Sequence, residues 1–387
     1  MTRTTPLWRR ALLFVALASL IVGLTPAAGA QSAPAARYIV VLEDSVSGVG
    51  ELASTLADQY AGRVGLTFRH ALKGFTITLT QDEAAALENN PLVDYVEEDG
   101  VMSISTTQPN ATWGLDRIDQ RSLPLDTNFN FTNTGAGVDA YIIDTGIRLS
   151  HSDFGGRAIT AFDAVDGGSA DVCNGHGTHV SGTVGGSTYG VAKGVTLVGV
   201  RVLDCDGSGT TSGVIAGIDW VTSDHTSGPA IANMSLGGGA SAALDDAVRR
   251  SITDGVSYAV AAGNGNFLGV EDDACFYSPA RVGEAMTIGA TDSNDAKASF
   301  SNYGNCVDWF APGVGITSDW WTTDTATNTI SGTSMATPHT AGVAALYLQG
   351  NPGASPSTVR TALFDLTTKG IVTSARTTNN HLLFNNM

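Results

Sequence analysis

The pattern of apolar and polar positions divides the chain into two folded regions. In the first region it predicts four short strands, at residues 38–42, 64–69, 75–79 and 93–96. A helix is expected at about 50–62, and a second helix begins where Thr80 and Glu83 stand in the spacing of a capping box. Together these elements are typical of a small α+β unit.

In the second region, short β-rich apolar runs alternate with helical segments. The strands are predicted at 138–143, 195–202, 231–234 and 256–261, and the helices at 212–221, 244–252 and 334–348. Such alternation predicts parallel strands joined by crossover helices, hence an α/β sheet covered on both faces. The reactive loops of such a fold lie at the carboxyl ends of the strands.

Two segments at the margins of these regions indicate export and processing. Residues 103–112 are polar and lose periodicity, which predicts a linker and a processing site. At the N-terminus, three arginines precede an apolar run at 11–24 and the small residues Ala28, Gly29 and Ala30. This order is typical of a secretory signal peptide at 1–30. Because the apolar run is short for a bilayer, we expect a secreted, extracellular protein without a membrane anchor.

Composition narrows the class of partner. The 387 residues are 43% hydrophobic and 15% charged, with 46 glycines, which favours a folded, loop-rich protein over a disordered one. The formal net charge of -17 would repel nucleic acids and anionic membranes. We therefore expect no nucleic-acid partner.

Two residues beside glycines could carry acid–base chemistry. Asp144 ends an apolar strand just before Gly146, where an aspartate commonly caps a turn. His176 has glycines on both sides at the start of a helix. It could instead form a metal site with His179, but the metalloprotease signature needs histidines four apart and an adjacent glutamate.

Ser334 stands at the head of the apolar helix predicted at 334–348. Serine at such a position is usually an N-cap. The alternative is a nucleophile whose backbone N–H and helix dipole help to bind an oxyanion. Ala336 stands where the G-x-S-x-G nucleophile elbow has its second glycine.

The order of these residues separates the known plans of serine hydrolases. This chain runs Asp144, His176, Ser334, which is the subtilisin order and neither the α/β-hydrolase nor the chymotrypsin order. A serine hydroxyl becomes nucleophilic when a neutral imidazole takes its proton, and a carboxylate holds that imidazole in the right tautomer. The three residues therefore predict a catalytic triad.

The motifs themselves resemble the three signatures of the subtilase family. They read Asp-Thr-Gly at 144–146, His-Gly-Thr-His at 176–179 and Gly-Thr-Ser-Met-Ala-Thr-Pro-His at 332–339. The likeness extends from 113 to about 366 and is greatest to the proteinase K branch, especially aqualysin-like enzymes. It implies a three-layer subtilisin-like fold and an endopeptidase that forms an acyl-enzyme on polypeptide substrates without an organic cofactor.

The resemblance also assigns the binding residues. Asn264 would donate its side-chain amide to the oxyanion. Two glycine-rich segments would hold an extended substrate as an added strand, although alone each would read as an ordinary loop. The implied substrate-binding residues are Gly207, Ser208, Gly209, Ser235, Leu236, Gly237, Gly238, Ala261, Ala262 and Gly263.

Four cysteines follow the signal segment, and four allow three disulfide pairings, among which sequence order does not choose. The absence of a CxxC pair makes structural zinc a poor alternative. The family resemblance pairs Cys173 with Cys205, and Cys275 with Cys306.

Structural calcium is the ion that the resemblance implies, since carboxylate and carbonyl oxygens suit it. One implied site combines the side chain of Asp308 with the carbonyls of Gly283 and Ala285. A second resembles a calcium loop and consists of Asp116, Asp119, Gln120, Asp126 and Asn128. The alternative for both clusters is turn capping.

Residues 38–104 resemble the subtilase inhibitor propeptide, a small ferredoxin-like unit. We therefore expect three domains: a signal peptide at 1–30, an inhibitor and chaperone propeptide at 31–105, and the peptidase at 106–387. Autocleavage is expected near Ser105 or Thr106, with the propeptide acting as an intramolecular inhibitor of a monomeric enzyme.

Two other functions compete with this one. A catalytically silent binding protein would have no physical need to keep all four of Asp144, His176, Asn264 and Ser334. A serine esterase would share the chemistry but should lack the strand-like substrate edges. Hydrolysis of a denatured protein, compared with that of a simple ester, separates the esterase from the peptidase.

Overall fold

The computed structural model describes residues 35–99, 106–168, 173–266 and 269–387. It divides into two compact units, Met1–Met102 and Ser103–Met387. The predicted signal peptide lies outside the described residues. Within the described ranges, no helix combines the length and the apolar character that crossing a membrane requires.

The first unit is one antiparallel sheet with two helices. Its elements are β1 (Ala36–Leu42), α1 (Val49–Gln59), β2 (Arg63–Phe68), β3 (Gly74–Leu79), α2 (Gln81–Glu88) and β4 (Val93–Glu98). The strand order is β2-β3-β1-β4. The predicted capping box is present, with Thr80 accepting from the Glu83 N–H. The succession of strands and helices confirms the predicted ferredoxin-like unit.

The second unit is built around a larger sheet. Its helices are α3 (Trp113–Ile118), α4 (His176–Gly185), α5 (Thr211–Asp224), α6 (Ala242–Asp254), α7 (Thr333–Gly350) and α8 (Pro356–Leu366). Its strands are β5 (Thr106–Pro109), β6 (Asn128–Phe131), β7 (Asp139–Asp144), β8 (Ala158–Asp163), β9 (Thr196–Arg201), β10 (Ala230–Met234), β11 (Gly238–Gly239), β12 (Ser257–Ala261), β13 (Tyr277–Ser278), β14 (Met286–Thr291), β15 (Trp309–Pro312), β16 (Ile316–Asp319), β17 (Thr327–Ile330), β18 (Thr368–Lys369) and β19 (His381–Leu382).

Nine of these strands form one sheet in the order β18-β19-β15-β14-β12-β10-β7-β9-β8. All neighbours are parallel except β18 and β19. Residues on one face, such as Ile142, pack with Val184 of α4 and Leu346 of α7. Residues on the other face, such as Ile143, pack with Ile218 of α5 and Val248 of α6. This confirms the predicted α/β sheet covered on both faces.

The structure adds elements that the apolar pattern did not reveal. Residues 106–109 were predicted as linker, but they form β5, which pairs antiparallel with β6. Because neither face of this strand is deeply buried, its side chains are polar and show no apolar alternation from which the strand could be predicted. The buried strands β14 and β15 and the helix α8 were also not predicted.

Candidate active site

The predicted catalytic loops follow three neighbouring strands. In the sheet, β10 lies between β7 and β12, and all three run parallel. Asp144 ends β7, Ser235 follows β10, and Ala261 ends β12. Because parallel strands present their carboxyl ends at one edge, the topology gathers these loops there.

The buried carboxylate of Asp144 holds the imidazole of His176. Its two oxygens lie 2.9 and 3.0 Å from His176 Nδ1, and Oδ1 also accepts the Thr145 N–H at 2.7 Å. Asp144 thus caps the turn and orients the ring as well. With Nδ1 donating to the carboxylate, Nε2 is the ring nitrogen left to accept a proton.

The same contact changes the proton affinity of His176. Burial of the ring disfavours the imidazolium, but the charge of Asp144 and its hydrogen bond outweigh that effect. The pKa of His176 is consequently raised above its ordinary value of 6.5. A base with a raised pKa still accepts protons when the solution is neutral to alkaline.

Close backbone packing places His176 beside Asp144. A Cβ atom on Gly177 would lie 2.2 Å from the carbonyl oxygen of Gly146, so a glycine is required there. The Gly177 N–H donates to Thr145 Oγ1 at 2.9 Å. Asn174 Oδ1 accepts the His176 N–H at 2.9 Å. The first turn of α4 is therefore fixed against the end of β7.

Ser334 is the second residue of α7, and Gly332 occupies the N-cap, so the serine is not the helix cap. Its Oγ donates to the carbonyl of Ser235 at 3.0 Å. Among the described residues, no hydrogen bond joins Ser334 to His176. The structure therefore brings together Asp144 and His176 and leaves the serine hydroxyl on a backbone acceptor.

Pro338 explains a second contact between these two serines. In a helix the carbonyl of Ser334 would accept the N–H four residues on, but proline has none. Ser235 Oγ donates to that carbonyl instead, at 2.8 Å, and itself accepts from Asn233 Nδ2 at 3.0 Å. Ser235, predicted only as a substrate edge, thus also holds the start of α7.

Asn264 is oriented by the residue next to Ser334. The backbone N–H and the hydroxyl of Thr333 both donate to Asn264 Oδ1, at 2.8 and 2.9 Å. Its amide nitrogen is therefore free to donate elsewhere. Asn264 and Ser334 line the same cavity of about 220 Å³. Sequence reasoning missed the role of Thr333, although it lies within the Gly-Thr-Ser motif.

The segment that carries Asn264 depends on a glycine and an asparagine. Gly263 has φ of +100°, and a Cβ there would lie 2.5 Å from Asn302 Nδ2. That nitrogen donates to the Ala262 carbonyl at 2.9 Å, and Asn302 Oδ1 accepts the Gly265 N–H at 2.9 Å. No pattern in the sequence pointed to Asn302.

The predicted substrate-binding residues line two cavities. The larger, of about 640 Å³, is lined by His176 and by both glycine-rich segments, with Trp320 and Ile330 as further lining that was not predicted. Its predicted members are Gly207, Ser208, Gly209, Ser235, Leu236, Gly237 and Gly238. The smaller cavity contains Leu236, Gly237, Gly238, Ala261, Ala262 and Gly263 with Asn264 and Ser334.

The cysteines form two bridges, Cys173–Cys205 and Cys275–Cys306. The first joins the loop before His176 to the loop that carries Gly207. Asn174 adds a hydrogen bond across the same gap, from Nδ2 to the Cys205 carbonyl at 3.0 Å. Two walls of the larger cavity are thereby tied together.

Metal binding by His176 and His179 has no support in the geometry. His179 is buried, its Nε2 lies 3.0 Å from the Ile316 carbonyl, and burial lowers its pKa to about 4. Across the described ranges, no group of three or more His, Cys, Asp or Glu side chains is arranged to hold a metal ion.

The acidic cluster predicted to bind calcium is directed toward backbone groups. Asp116 accepts the Thr127 N–H at 2.7 Å, and Asp119 Oδ2 accepts the Asn130 N–H at 2.7 Å. Burial, with further contributions from the charges of Asp116 and Asp126, raises the pKa of Asp119 to about 6. These carboxylates are near one another without converging on a point.

Amide side chains complete this cluster. Gln120 Nε2 donates to the carbonyls of Ser122 and Pro124, at 2.7 and 2.9 Å. Asn128 Nδ2 donates to the Asp126 carbonyl at 3.2 Å. With their nitrogens occupied, both amides keep an oxygen for a hard cation, which fits calcium chemistry.

The other predicted calcium residues already have a cationic partner. Asp308 Oδ1 forms an ion pair with Arg360 Nη2, and Oδ2 accepts the Thr287 N–H at 2.8 Å. Arg360 Nε also donates to the Ala285 carbonyl at 3.3 Å. Gly283 precedes this carbonyl in the same turn. With Arg360 in place, this donor set does not fit a calcium ion.

Comparison with known proteins gives strong matches. Residues 135–383 match the Subtilase family, and residues 37–105 match Peptidase inhibitor I9. An extracellular serine proteinase of Thermus sp. (strain Rt41A) is 59% identical over 83% of this chain and 78% of its own length. Alkaline serine exoprotease A of Vibrio alginolyticus is 54% identical over 84% of this chain and 61% of its own length.

A solved structure agrees with these matches. A cold adapted subtilisin-like serine proteinase is 57% identical to this chain, with a TM-score of 0.69. The match covers 72% of this chain and 99% of that one. The protein is therefore an extracellular serine-type endopeptidase that is made as a precursor. Within that class, the chain belongs to the subtilase family.

Proposed function

We propose that Ser334 is the nucleophile of this endopeptidase, His176 its general base and Asp144 the group that orients the imidazole. The observation that carries the proposal is the buried carboxylate within 3.0 Å of Nδ1 of an imidazole that lines the larger cavity. Ser235 also lines that cavity, and its carbonyl accepts a hydrogen bond from the Ser334 hydroxyl.

The chemistry requires one rotation in the resting site. Turning χ1 of Ser334 would release its hydroxyl from the Ser235 carbonyl and make it available to His176 Nε2. The imidazole then takes the proton as oxygen attacks the peptide carbonyl, and later gives it to the leaving amine. Water releases the acyl group by the same steps.

The oxyanion would be bound at the start of α7. Asn264 can donate its free amide hydrogen, because Thr333 occupies the amide oxygen. The N–H of Ser334 belongs to the first turn of the helix, whose N–H groups lack helical partners. Together they supply two donors where negative charge develops.

The substrate would be an extended polypeptide chain. Gly207–Gly209 and Gly237–Gly238 are exposed and line the same cavity as His176. Exposed backbone without side chains can approach a substrate backbone closely and pair with it as a strand. Such edges favour proteins over simple esters as substrates.

The decisive test compares Ser334→Ala with Ser357→Ala, which removes an exposed hydroxyl in the first turn of α8. Casein hydrolysis should disappear in the first variant and remain in the second. A simple ester measured beside casein distinguishes an esterase. Full proteolysis by Ser334→Ala would refute the mechanism.

We also propose the boundaries 1–30 for the signal peptide, 31–105 for the propeptide and 106–387 for the peptidase. Support comes from Thr106, which begins β5 of the second unit. Autocleavage near Ser105 or Thr106 should make Ser334→Ala accumulate as an uncut precursor. N-terminal sequencing of the secreted wild type would oppose this if the chain began at Gln31.

We propose structural calcium at the cluster of Asp116, Asp119, Gln120, Asp126 and Asn128. Their oxygens would hold the ion, which neutralises carboxylates that repel one another. Calcium should raise the unfolding temperature of wild type more than that of Asp119→Asn. Equal shifts in both proteins would exclude this location.

The mature enzyme is proposed to act as a monomer, since the candidate site lies within residues of one unit. Light scattering across a range of protein concentrations should give the mass of one chain. A mass that doubles with concentration while activity per chain rises would contradict it.

A further inference from the structure

Arg360 connects helix α8 to the turn that precedes β14. From α8 its guanidinium pairs with Asp308, which is buried just before β15, and bonds to the carbonyl of Ala285. The second oxygen of Asp308 is occupied by the Thr287 N–H of β14. One cationic side chain therefore joins α8 to this turn and to the residue that precedes β15.

The contacts of this guanidinium are those that a calcium ion would need. Calcium binds carboxylate and carbonyl oxygens at about 2.3–2.6 Å. An ion at that distance from Asp308 and Ala285 would compete with Arg360 for the same two groups. Because the guanidinium and the ion are both positive and would lie within a few ångströms of each other, their repulsion makes binding of one disfavour binding of the other.

We propose that Arg360 supplies the positive charge at Asp308 in place of calcium, so that this site binds no metal in the mature enzyme. The guanidinium is attached to the chain, which makes its local concentration independent of the medium. Its planar fork suits paired oxygen acceptors. The inference does not depend on the catalytic roles proposed above.

The consequence concerns the wall of the smaller cavity. Ser278 and Ala280 line that cavity, and the turn from Ala280 to Ala285 leads directly to the Arg360 contact. An arginine holds this turn at any calcium concentration. The geometry of the wall should then survive chelation even if calcium leaves the Asp116 cluster.

The test counts bound calcium in the mature enzyme, blocked with a sulfonyl fluoride to prevent self-digestion. Equilibrium dialysis uses calcium alone at about 1 mM, within the range for extracellular modules. Wild type and Asp308→Asn should bind the same number of ions. Arg360→Met, which keeps most of the apolar stem, should bind one more, and Asp308→Asn added to it should remove that ion.

Controls separate charge from folding. Arg250→Ala removes an exposed arginine of α6 and should leave the number of ions unchanged. Arg360→Lys keeps a cation on the same helix and should gain none. One ion lost from wild type by Asp308→Asn would overturn the proposal, and so would an Arg360→Met protein that gains none. The comparison of wild type with Asp308→Asn tests the proposal even if the Arg360 variants fail to fold.

Discussion

The two halves of the candidate active site are assembled to different degrees. Asp144 and His176 already make the contacts that the proposed mechanism requires, and the carboxylate is buried. Ser334 and Asn264 are instead held by neighbours, the hydroxyl by the Ser235 carbonyl and the amide by Thr333. In the proposed mechanism the base is oriented before substrate arrives, whereas the nucleophile must exchange one hydrogen bond.

The difference follows from the burial of the groups. A buried carboxylate without a partner is costly, so Asp144 must be paired in the folded chain. The hydroxyl of Ser334 can satisfy itself with any nearby acceptor and can change acceptor by rotation about one bond. Substitution of Asp144 should therefore lower activity more than substitutions that only remove hydrogen bonds around Ser334 and Asn264.

The largest effect is expected from Asp144→Asn. The amide keeps the shape but favours the wrong imidazole tautomer, so kcat should fall about 10,000-fold. Hydrolysis of a peptide anilide measures it. Asp206→Asn removes an acidic charge from the same cavity and should change kcat by no more than about twofold. Similar losses in both variants would mean that only cavity charge matters.

Asn264→Ala should come next. Removing the amide donor should lower kcat by about 100- to 1000-fold, the loss that the corresponding change causes in subtilisin, with KM little altered. Steady-state kinetics on the same anilide separates the two constants. A rise in KM alone would indicate that Asn264 binds substrate and not the oxyanion.

A smaller effect is expected from Thr333→Val, which removes one of two donors to Asn264 Oδ1. The same hydroxyl accepts the Gly263 N–H at 3.2 Å, and losing these two hydrogen bonds should reduce kcat by about 2- to 10-fold. Thr337→Val is the matched control, because its hydroxyl bonds the Thr333 carbonyl one turn along α7. If both variants lost kcat equally, helix stability would explain the result and orientation of Asn264 would not.

The smallest expected effect concerns the pH dependence of kcat/KM. Protonated His176 cannot accept a proton, so kcat/KM should fall as the pH drops through its pKa. Because that pKa is raised, the midpoint should lie above pH 6.5 in the free enzyme. Asn264→Ala should keep the midpoint, since Asn264 does not shift His176. A wild-type midpoint at or below pH 6.5 would contradict the Asp144 contact.

Sequence was most informative where side chains repeat with a structural period or stand in a long motif. The apolar runs at β7, β10 and β12 fixed the parallel sheet, and Gly-Thr-Ser marked the start of α7. It was least informative where a contact is distant along the chain. Nothing in the sequence around Asp308 indicates that its carboxylate pairs with Arg360, 52 residues later.

Backbone chemistry accounts for other gaps. The strand β5 is polar on both sides and is defined by pairing with β6, which no local pattern records. The contact between Ser235 and the Ser334 carbonyl depends on a missing N–H at Pro338. Proline was visible in the sequence, but its effect required knowing which strand end faced the helix.

The bridge between Cys173 and Cys205 closes a loop of 32 residues that includes His176. A covalent tie of that size restricts the unfolded chain by about 3–4 kcal/mol. The tie forms only in an oxidising compartment. Protein produced in a reducing cytoplasm would therefore carry a less restrained histidine loop, and a recombinant preparation should be judged by its thiol content before its activity is compared.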